Sequence, residues 1–384
     1  MSRNTYLVTA LTQDESDLLA PPTPPLAAAG LDRLREAVGT AVTGFLDCQE
    51  ATLTAMDPAL SPLVGEVRAM VSGGKRLRPA FAYWGWRGAL AGAQADREDE
   101  AAVLRAVAAL EFLHASALVH DDVMDAAQTR RGRPATHVGF AARHVAQGLA
   151  GSPDGFGTGA AILVGDLALV WSDELLGCSG LSPAALARAR EVWDHMRAEV
   201  MSGQYLDLLR AAGGLPGAHG ALTVARYKSA GYTVQRPLQL GAAVAGARPE
   251  VRDSYSRTGL ALGEAFQLRD DVLGVFGDPA VTGKSADDDL REGKRTLLVE
   301  LAEERADRAG RRLLRDSLGN PAAGPGELDA LRRLLQTTGA LDRVENRIAE
   351  GTAIARAVIA RAPIAEDARA ALDALAVVAT SRTA

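Results

Sequence analysis

One segment sets the terms for the whole fold. Residues 100–125 read Glu-Ala-Ala-Val-Leu-Arg-Ala-Val-Ala-Ala-Leu-Glu-Phe-Leu-His-Ala-Ser-Ala-Leu-Val-His-Asp-Asp-Val-Met-Asp, apolar nearly all round at helical spacing. A helix without a polar face has to lie inside other helices. Yet the same segment ends in His120, Asp121, Asp122 and Asp125. Aspartates at a helix C-terminus oppose the macrodipole. Carboxylates removed from water without partners are costly as well. A cationic partner is needed to offset both penalties, so the pattern predicts an interior helix that ends in a charged site.

The rest of the chain agrees with a helical reading. Alanine, leucine and arginine dominate, and β-branched and aromatic runs are scarce. From Leu31 onward the apolar spacing predicts helices over 31–56, 59–72, 76–91, 100–125, 159–177, 182–212, 220–246, 250–276, 295–317, 327–361 and 365–380. Breaks are expected at 72–74, in the Gly-rich stretch 148–159, at Gly213 to Pro216, and at 319–326. There is no strand alternation and no fixed-period repeat. Residues 1–28, with Ala-Pro-Pro-Thr-Pro-Pro, read as a flexible leader. Residues 29–384 show no shift in composition and read as one all-α domain, a single large helical bundle.

Composition excludes several classes. The net charge of −6 gives no support to a nucleic-acid partner. Cys48 and Cys178 stand outside any CxxC pair, so neither a disulfide scaffold nor a structural zinc site is expected. No uncharged apolar run reaches about 18 residues, so no membrane span is expected. The N-terminus lacks a signal pattern, which makes the cytoplasm the default location. Of 42 basic residues only Lys75, Lys228, Lys284 and Lys294 are lysine. Against that arginine bias, a retained lysine points to a position that needs a compact ammonium.

Two acidic clusters carry the chemistry. Asp121 and Asp125 are four residues apart and share a helical face. Two carboxylates so placed suit Mg²⁺, which takes one or two carboxylates, keeps waters, and fills its remaining positions with phosphate oxygens. Gln267, Asp270 and Asp271 end a second apolar stretch and can share a face. Two acidic helix ends could face one another across a cavity inside a bundle. The bland alternative is a solvated acidic helix end, which the apolar helix before each cluster disfavours. Basic groups lie close by in sequence. Lys75, Arg76 and Arg78 follow Gly73 and Gly74 at a helix start, where anions bind well. Arg130, Arg131 and Arg133 follow the first cluster, and Lys284 and Lys294 follow the second. Acids and bases together suit a diphosphate held partly through metal and partly directly.

The ordered motifs resemble the trans-isoprenyl diphosphate synthase family. They are Gly-Gly-Lys-Arg-Leu-Arg-Pro (73–79), His-Asp-Asp-Val-Met-Asp (120–125), Arg-Arg-Gly (130–132), Val-Gly-Asp-Leu (164–167), Gly-Gln-Tyr-Leu-Asp-Leu (203–208), Lys228, and Phe-Gln-x-x-Asp-Asp (266–271). The match covers about 65–300 and is most like the bacterial geranylgeranyl diphosphate synthases. The resemblance implies helices around a deep central cavity, three Mg²⁺ ions and a homodimer. Its substrates would be isopentenyl diphosphate and an allylic diphosphate, joined head to tail into a linear trans-prenyl diphosphate. By position, Asp121, Asp125 and Asp270 would be the main metal ligands, with Asp122 and Asp271 in support. Lys75, Arg78, His114 and Arg131 would hold the diphosphate of isopentenyl diphosphate. Arg130, Lys228, Gln267 and Lys284 would hold the allylic diphosphate. One departure stands out: many members end the second motif with a third aspartate, and here that position is Gly274, with Asp278 one turn further.

Product length is expected to depend on the helix before Asp121. Ser116 and Ala117, one turn earlier, are small, which favours a deep pocket and a C20 product over C15. Phe112 and Leu113 could form its floor, and C25 or longer stays open. The rivals are a class I terpene cyclase and a non-catalytic subunit of a heteromeric synthase. The cyclase's second metal motif is missing from residue 190 onward, and aromatics make up only 4% of the chain. A non-catalytic subunit would be expected to have lost acidic residues that are present here.

Overall fold

The protein is described as a computed structural model covering residues 25–93, 97–278 and 286–381. Two acidic helix ends have to meet in this fold, and the packing of four long helices brings that about. α1 (Pro25–Met56) leads through a short 3₁₀ turn (Pro58–Leu60) into α2 (Ser61–Val71) and α3 (Leu77–Ala89). α4 (Glu100–Met124) is the segment that opened the sequence reading. Its Val103, Val107, Leu110, Phe112 and Val119 are buried, and it packs chiefly on α6, with α1 and α3 also against it. Its expected interior position is therefore observed.

A two-residue hairpin (Thr129–Arg130 paired with Arg133–Pro134) follows α4, then α5 (Thr136–Ala146) and α6 (Pro153–Gly177). Two sequence expectations fail here. No helix was expected over 136–146, and the Gly-rich stretch was read as a break up to 159. Ser152 instead caps α6 by accepting from the Gly155 amide, with Pro153 in the first turn. A Cβ on Gly157 would lie 2.2 Å from the His137 carbonyl oxygen. Glycine there lets the start of α6 lie against α5, so a residue that reads as a breaker serves packing.

α7 (Pro183–Ala211), α8 (Gly217–Val224) and α9 (Arg236–Val244) follow, with a π-helical turn system over Ala225–Gln235 between the last two. The expected helix over 220–246 is thus continuous in direction but wider in its middle. π-helical turns gather at functional sites. Two glycines let neighbours reach this one: a Cβ on Gly203 of α7 would lie 2.3 Å from the Lys228 backbone nitrogen. One on Gly263 would lie 2.5 Å from the Ala230 carbonyl oxygen.

α10 (Pro249–Phe276) contributes Gly263 and carries the second acidic cluster. The chain continues through α11 (Asp288–Arg291), α12 (Leu297–Arg305), α13 (Arg308–Ser317), α14 (Pro325–Thr337), α15 (Ala340–Arg361) and α16 (Glu366–Thr380). The segments 295–317 and 327–361, each expected as one helix, are both split. Asp307 accepts from the Gly310 amide at 2.8 Å and restarts the helix as α13. Gly339 takes a left-handed φ of 73° between α14 and α15. α10 joins two apolar clusters: Tyr255 and Leu262 belong to the main core, while Leu268, Val272 and Val275 pack with α12, α14 and α15. α4 and α6 are each long and apolar enough to cross a membrane by length and composition. In α4, 67% of that window is buried inside the bundle, which accounts for its apolarity as core.

Candidate active site

A cavity of about 910 Å³ runs between α4, α7, the π-helical segment and α10. Asp121 of α4, Gln204 and Asp207 of α7, Lys228 of the π segment, and Gln267, Asp270 and Asp271 of α10 all line it. The two acidic clusters, 145 to 150 residues apart in sequence, therefore border one space, as their positions at two helix ends predicted.

The first cluster is already neutralised by cations. Lys228 Nζ donates to Asp121 Oδ1 at 2.9 Å and to Asp207 Oδ2 at 2.6 Å, and Gln204 Nε2 donates to Asp121 Oδ1 at 3.0 Å. Burial alone would raise the Asp121 carboxyl, but Lys228 and Arg130 outweigh it and hold the group below the usual range. Asp122 points elsewhere. It is wholly buried and accepts from Arg130 Nε at 2.7 Å, with Arg130 Nη2 on the same oxygen. Arg130 also stands 3.5 Å from Asp121 Oδ2, so it braces the hairpin against α4. Asp125 borders a small adjoining pocket with Asp289, Glu292 and Lys294. Burial and the neighbouring Asp121 push its carboxyl up to about 6.

In the second cluster, Gln267 Nε2 donates to Asp271 Oδ1 at 2.7 Å. Burial pushes Asp271 up to about 7; the Gln267 hydrogen bond opposes this, while Asp270 and Asp289 add to it. Asp270 is exposed to the cavity.

A basic wall stands on the remaining side. Lys75 is exposed on the loop before α3. Arg78 donates from Nη2 to Thr233 Oγ1 at 2.9 Å, and its guanidinium lies 4.4 Å from the Tyr232 ring centre. Arg131 takes a left-handed φ of 52° and donates to the Met70 carbonyl at 3.1 Å. His114 is half-buried beside them. Burial and then Arg78 and Arg131 depress its pKa well below 6.5, so the imidazole is neutral. Its Nδ1 meets no hydrogen-bond partner among the described residues. Arg76, read from sequence as an anion donor, is spent on structure: it is buried, pairs with Glu111, and donates to the Val71 carbonyl at 2.6 Å. Lys284 lies outside the described residues.

Of the four positions expected to govern product length, only Ala117 lines the cavity, with Leu118 beside it. Phe112 faces away from it, with its ring centre 5.3 Å from that of Phe45 and 6.5 Å from that of Trp171. Leu113 and Ser116 are buried outside the lining. The helical period explains this: positions 111, 114, 117/118 and 121 form the cavity face. The sequence reading missed Gln204 and Asp207 as site residues, although both stand in the 203–208 motif at a spacing that places them on one face. It noted Lys294 without giving it a role. Its ammonium is held by Asp289 at 2.8 Å and Glu292 at 3.0 Å.

The sequence pattern of the polyprenyl synthetase family matches residues 63–335. The chain belongs to this family. It is 35% identical to the geranylfarnesyl diphosphate synthase of Aeropyrum pernix over 76% of this chain and 85% of that one. It is 32% identical to the geranylgeranyl diphosphate synthase of Methanosarcina mazei over 72% and 76%. Among solved structures it resembles the geranylgeranyl pyrophosphate synthase of Corynebacterium glutamicum, which was crystallised with isoprenyl diphosphate and magnesium. The TM-score is 0.88 and the identity 42%, covering 92% of this chain and 99% of that one. As a polyprenyl synthetase, the chain is a prenyltransferase of the isoprenoid synthase fold.

The donor set fits the magnesium that this family implies. Among the described residues no three His, Cys, Asp or Glu side chains converge closely enough to hold a metal ion by themselves. The carboxylates come as pairs on separate walls. That arrangement suits Mg²⁺ completed by water and substrate phosphate rather than by an all-protein cage. The raised Asp125 and Asp271 are carboxyls that a divalent cation would return to the ionised form.

Proposed function

We propose that this prenyltransferase acts as a cytoplasmic homodimer and condenses isopentenyl diphosphate head to tail with an allylic diphosphate, giving geranylgeranyl diphosphate. The observation that carries this reading is the division of one cavity. Carboxylates line two helix ends, arginines and a neutral histidine line the opposite side, and apolar residues lie beyond. Asp121, Asp125 and Asp270 would hold Mg²⁺, three ions with diphosphate bound, and Asp122 and Asp271 would support them. Mg²⁺ would supply electrostatic stabilisation of the departing diphosphate. Lys228, Arg130 and Gln267, with Lys284, would bind the allylic diphosphate. Lys75, Arg78, His114 and Arg131 would bind the diphosphate of isopentenyl diphosphate.

The steps follow from that division. Lys228 would stabilise the charge that builds on the leaving oxygen as C1–O breaks. Closure over bound substrates would shield the allylic cation from water. The double bond of isopentenyl diphosphate attacks C1, and a proton then leaves to the released diphosphate, so no protein nucleophile is required. Small Ala117 on the cavity wall supports C20, as does the likeness to geranylgeranyl synthases. Leu163 and Val170 of α6 and Met201 and Tyr205 of α7 are large apolar side chains left exposed, which supports a second copy covering them. Light scattering on the eluting protein would test this, and a monomer would reject it.

The deciding experiment is a product assay. The protein, Mg²⁺ and labelled isopentenyl diphosphate are incubated with each C5, C10 or C15 allylic diphosphate, and the dephosphorylated alcohols are sized. A linear C20 alcohol is the expected result. A C15 or C25 alcohol would keep the reaction and overturn the length. A cyclic product, or no elongation by folded protein, would overturn the reaction.

A further inference from the structure

The π-helical segment turns more residues toward the cavity than an α-helix could. Lys228, Ser229, Tyr232 and Thr233 all line it. At the 3.6 residues per turn of an α-helix, Thr233 would point about 140° away from Lys228. The wider π turn, closed by bonds five residues apart, keeps positions four and five residues on near one face. The two ends of that face meet different groups. Lys228 is held by Asp121 and Asp207. Tyr232 and Thr233 meet Arg78. Thr233 is wholly buried and accepts from Arg78 Nη2 at 2.9 Å, and the Tyr232 ring centre lies 4.4 Å from the guanidinium. Around this contact three buried polar atoms have no hydrogen-bond partner among the described residues: Arg78 Nε, His114 Nδ1 and the Tyr232 hydroxyl. The rings of His114 and Tyr232 are 6.2 Å apart, centre to centre. Tyr232 is only 3% exposed, and burial, opposed by Arg78, raises its pKa, so the hydroxyl keeps its proton. Buried donors left unpaired are costly. Two of them beside an imidazole, on a cavity wall, call for an acceptor-rich anion.

We infer that the π turn serves both substrates: Lys228 faces the allylic diphosphate, and Tyr232 and Thr233 belong to the subsite for the diphosphate of isopentenyl diphosphate. Thr233 is a positioning residue that fixes Arg78. Tyr232 is a ligand, with its ring behind the guanidinium and its hydroxyl donating to the same phosphate oxygens. The inference rests on the proposed division of the cavity between two diphosphates.

The test compares Thr233→Val, Thr233→Ser and Tyr232→Phe with the parent. Isopentenyl diphosphate binding is measured by titration calorimetry in chelator, which silences the metal-dependent site. KM for each substrate and kcat are measured with Mg²⁺. Thr233→Val and Tyr232→Phe should each weaken isopentenyl diphosphate binding and raise its KM about tenfold, with the allylic KM within about twofold. Thr233→Ser keeps the hydroxyl and should stay within about threefold of the parent. Tyr232→Phe that binds as tightly as the parent would overturn the ligand role, as when a buried water satisfies the hydroxyl. Thr233→Val that raises both KM values alike, or Thr233→Ser as poor as Thr233→Val, would overturn the positioning role. If the parent binds isopentenyl diphosphate without elongating it, the proposed reaction falls and the binding comparison still decides the inference. If the parent binds neither isopentenyl diphosphate nor inorganic pyrophosphate in chelator, the subsite and the inference fall together.

Discussion

The two acidic clusters look alike in sequence and are built in opposite ways. The first, on α4, is supported before any substrate arrives. Asp121 is held by Lys228 and Gln204, and Asp122 is locked to Arg130. The second, on α10, has Asp271 hydrogen-bonded to a neutral amide and pushed up to about 7 by burial and then by Asp270 and Asp289, with Lys294 opposing. In the first cluster Lys228 and Arg130 keep the Asp121 carboxyl ionised, whereas in the second burial favours the protonated form of Asp271. Where the active site must capture a diphosphate, a finished wall can set the position and an unfinished wall can make binding conditional. Mutations that treat the clusters as equivalent should therefore give unequal results.

The largest effects should fall on turnover. Asp121→Ala and Asp270→Ala should each lower kcat by several orders of magnitude, on the order of ~4 kcal/mol or more of transition-state stabilisation. Their stabilities should separate the clusters. Asp121→Ala strands Lys228 beside Asp207 and should lower the melting temperature of metal-free protein. Asp271→Asn, which removes a carboxyl whose ionised form burial disfavours, should leave that temperature unchanged or raise it. Equal melting shifts would break the contrast, and near-normal turnover in Asp121→Ala or Asp270→Ala would remove the residue from the site.

Asp122 sharpens the point from inside the first cluster. The side chain is wholly buried against Arg130, and breaking such a pair costs about 3–5 kcal/mol. Asp122→Ala should therefore act mainly on stability, as read by urea denaturation. An Asp122→Ala protein of parental stability and low activity would instead make Asp122 a direct participant.

These contrasts bear on what a sequence can reveal. The placing of α4 in the interior, and of both acidic ends on one cavity, followed from apolar helices that finish in carboxylates. Asp121 and Asp122 are adjacent and chemically identical, yet one faces the cavity and the other meets Arg130. Only the phase of the helix separates them. The same phase took Phe112 off the cavity wall. α5 was missed because no cap or breaker marks it as strongly as the glycines after it seemed to mark a loop. The contact that gives Gly157 its purpose comes from another helix. The π-helical segment carrying Lys228 was likewise invisible, since glycines on α7 and α10 shape its surroundings.

The third expectation concerns α4, whose small Ala117 lines the cavity one turn before Asp121. Ala117→Phe should shorten the product by at least one isoprene unit, as read from the dephosphorylated alcohols, with Mg²⁺ and pyrophosphate binding unchanged. An unaltered product distribution would move the length-setting wall to Leu118, Val200 or Phe266, which also line the cavity.

The smallest effect tests the electrostatics directly. Asp271 has a folded pKa of about 7, against about 3.9 when unfolded, so between those values the folded state binds more protons. Stability of the metal-free protein should then fall as pH rises through this window. His114 has the opposite sign, because its depressed folded pKa makes the unfolded state, with a value of about 6.5, the better proton acceptor. From about pH 6.5 to 8 the unfolded histidine loses its remaining half proton and offsets part of the Asp271 effect, which leaves a net fall of less than about 1 kcal/mol. Asp271→Asn should abolish this fall and leave the shallow rise due to histidine, while Asp125→Asn, whose parent carboxyl is pushed up to about 6, should change it little. Mg²⁺ with pyrophosphate should stabilise the parent more at pH 8 than at 6.5, since the metal must displace a proton that is already gone at the higher pH. Thermal denaturation with and without chelator measures both, and a flat profile in the parent would show that the second cluster is balanced without metal after all.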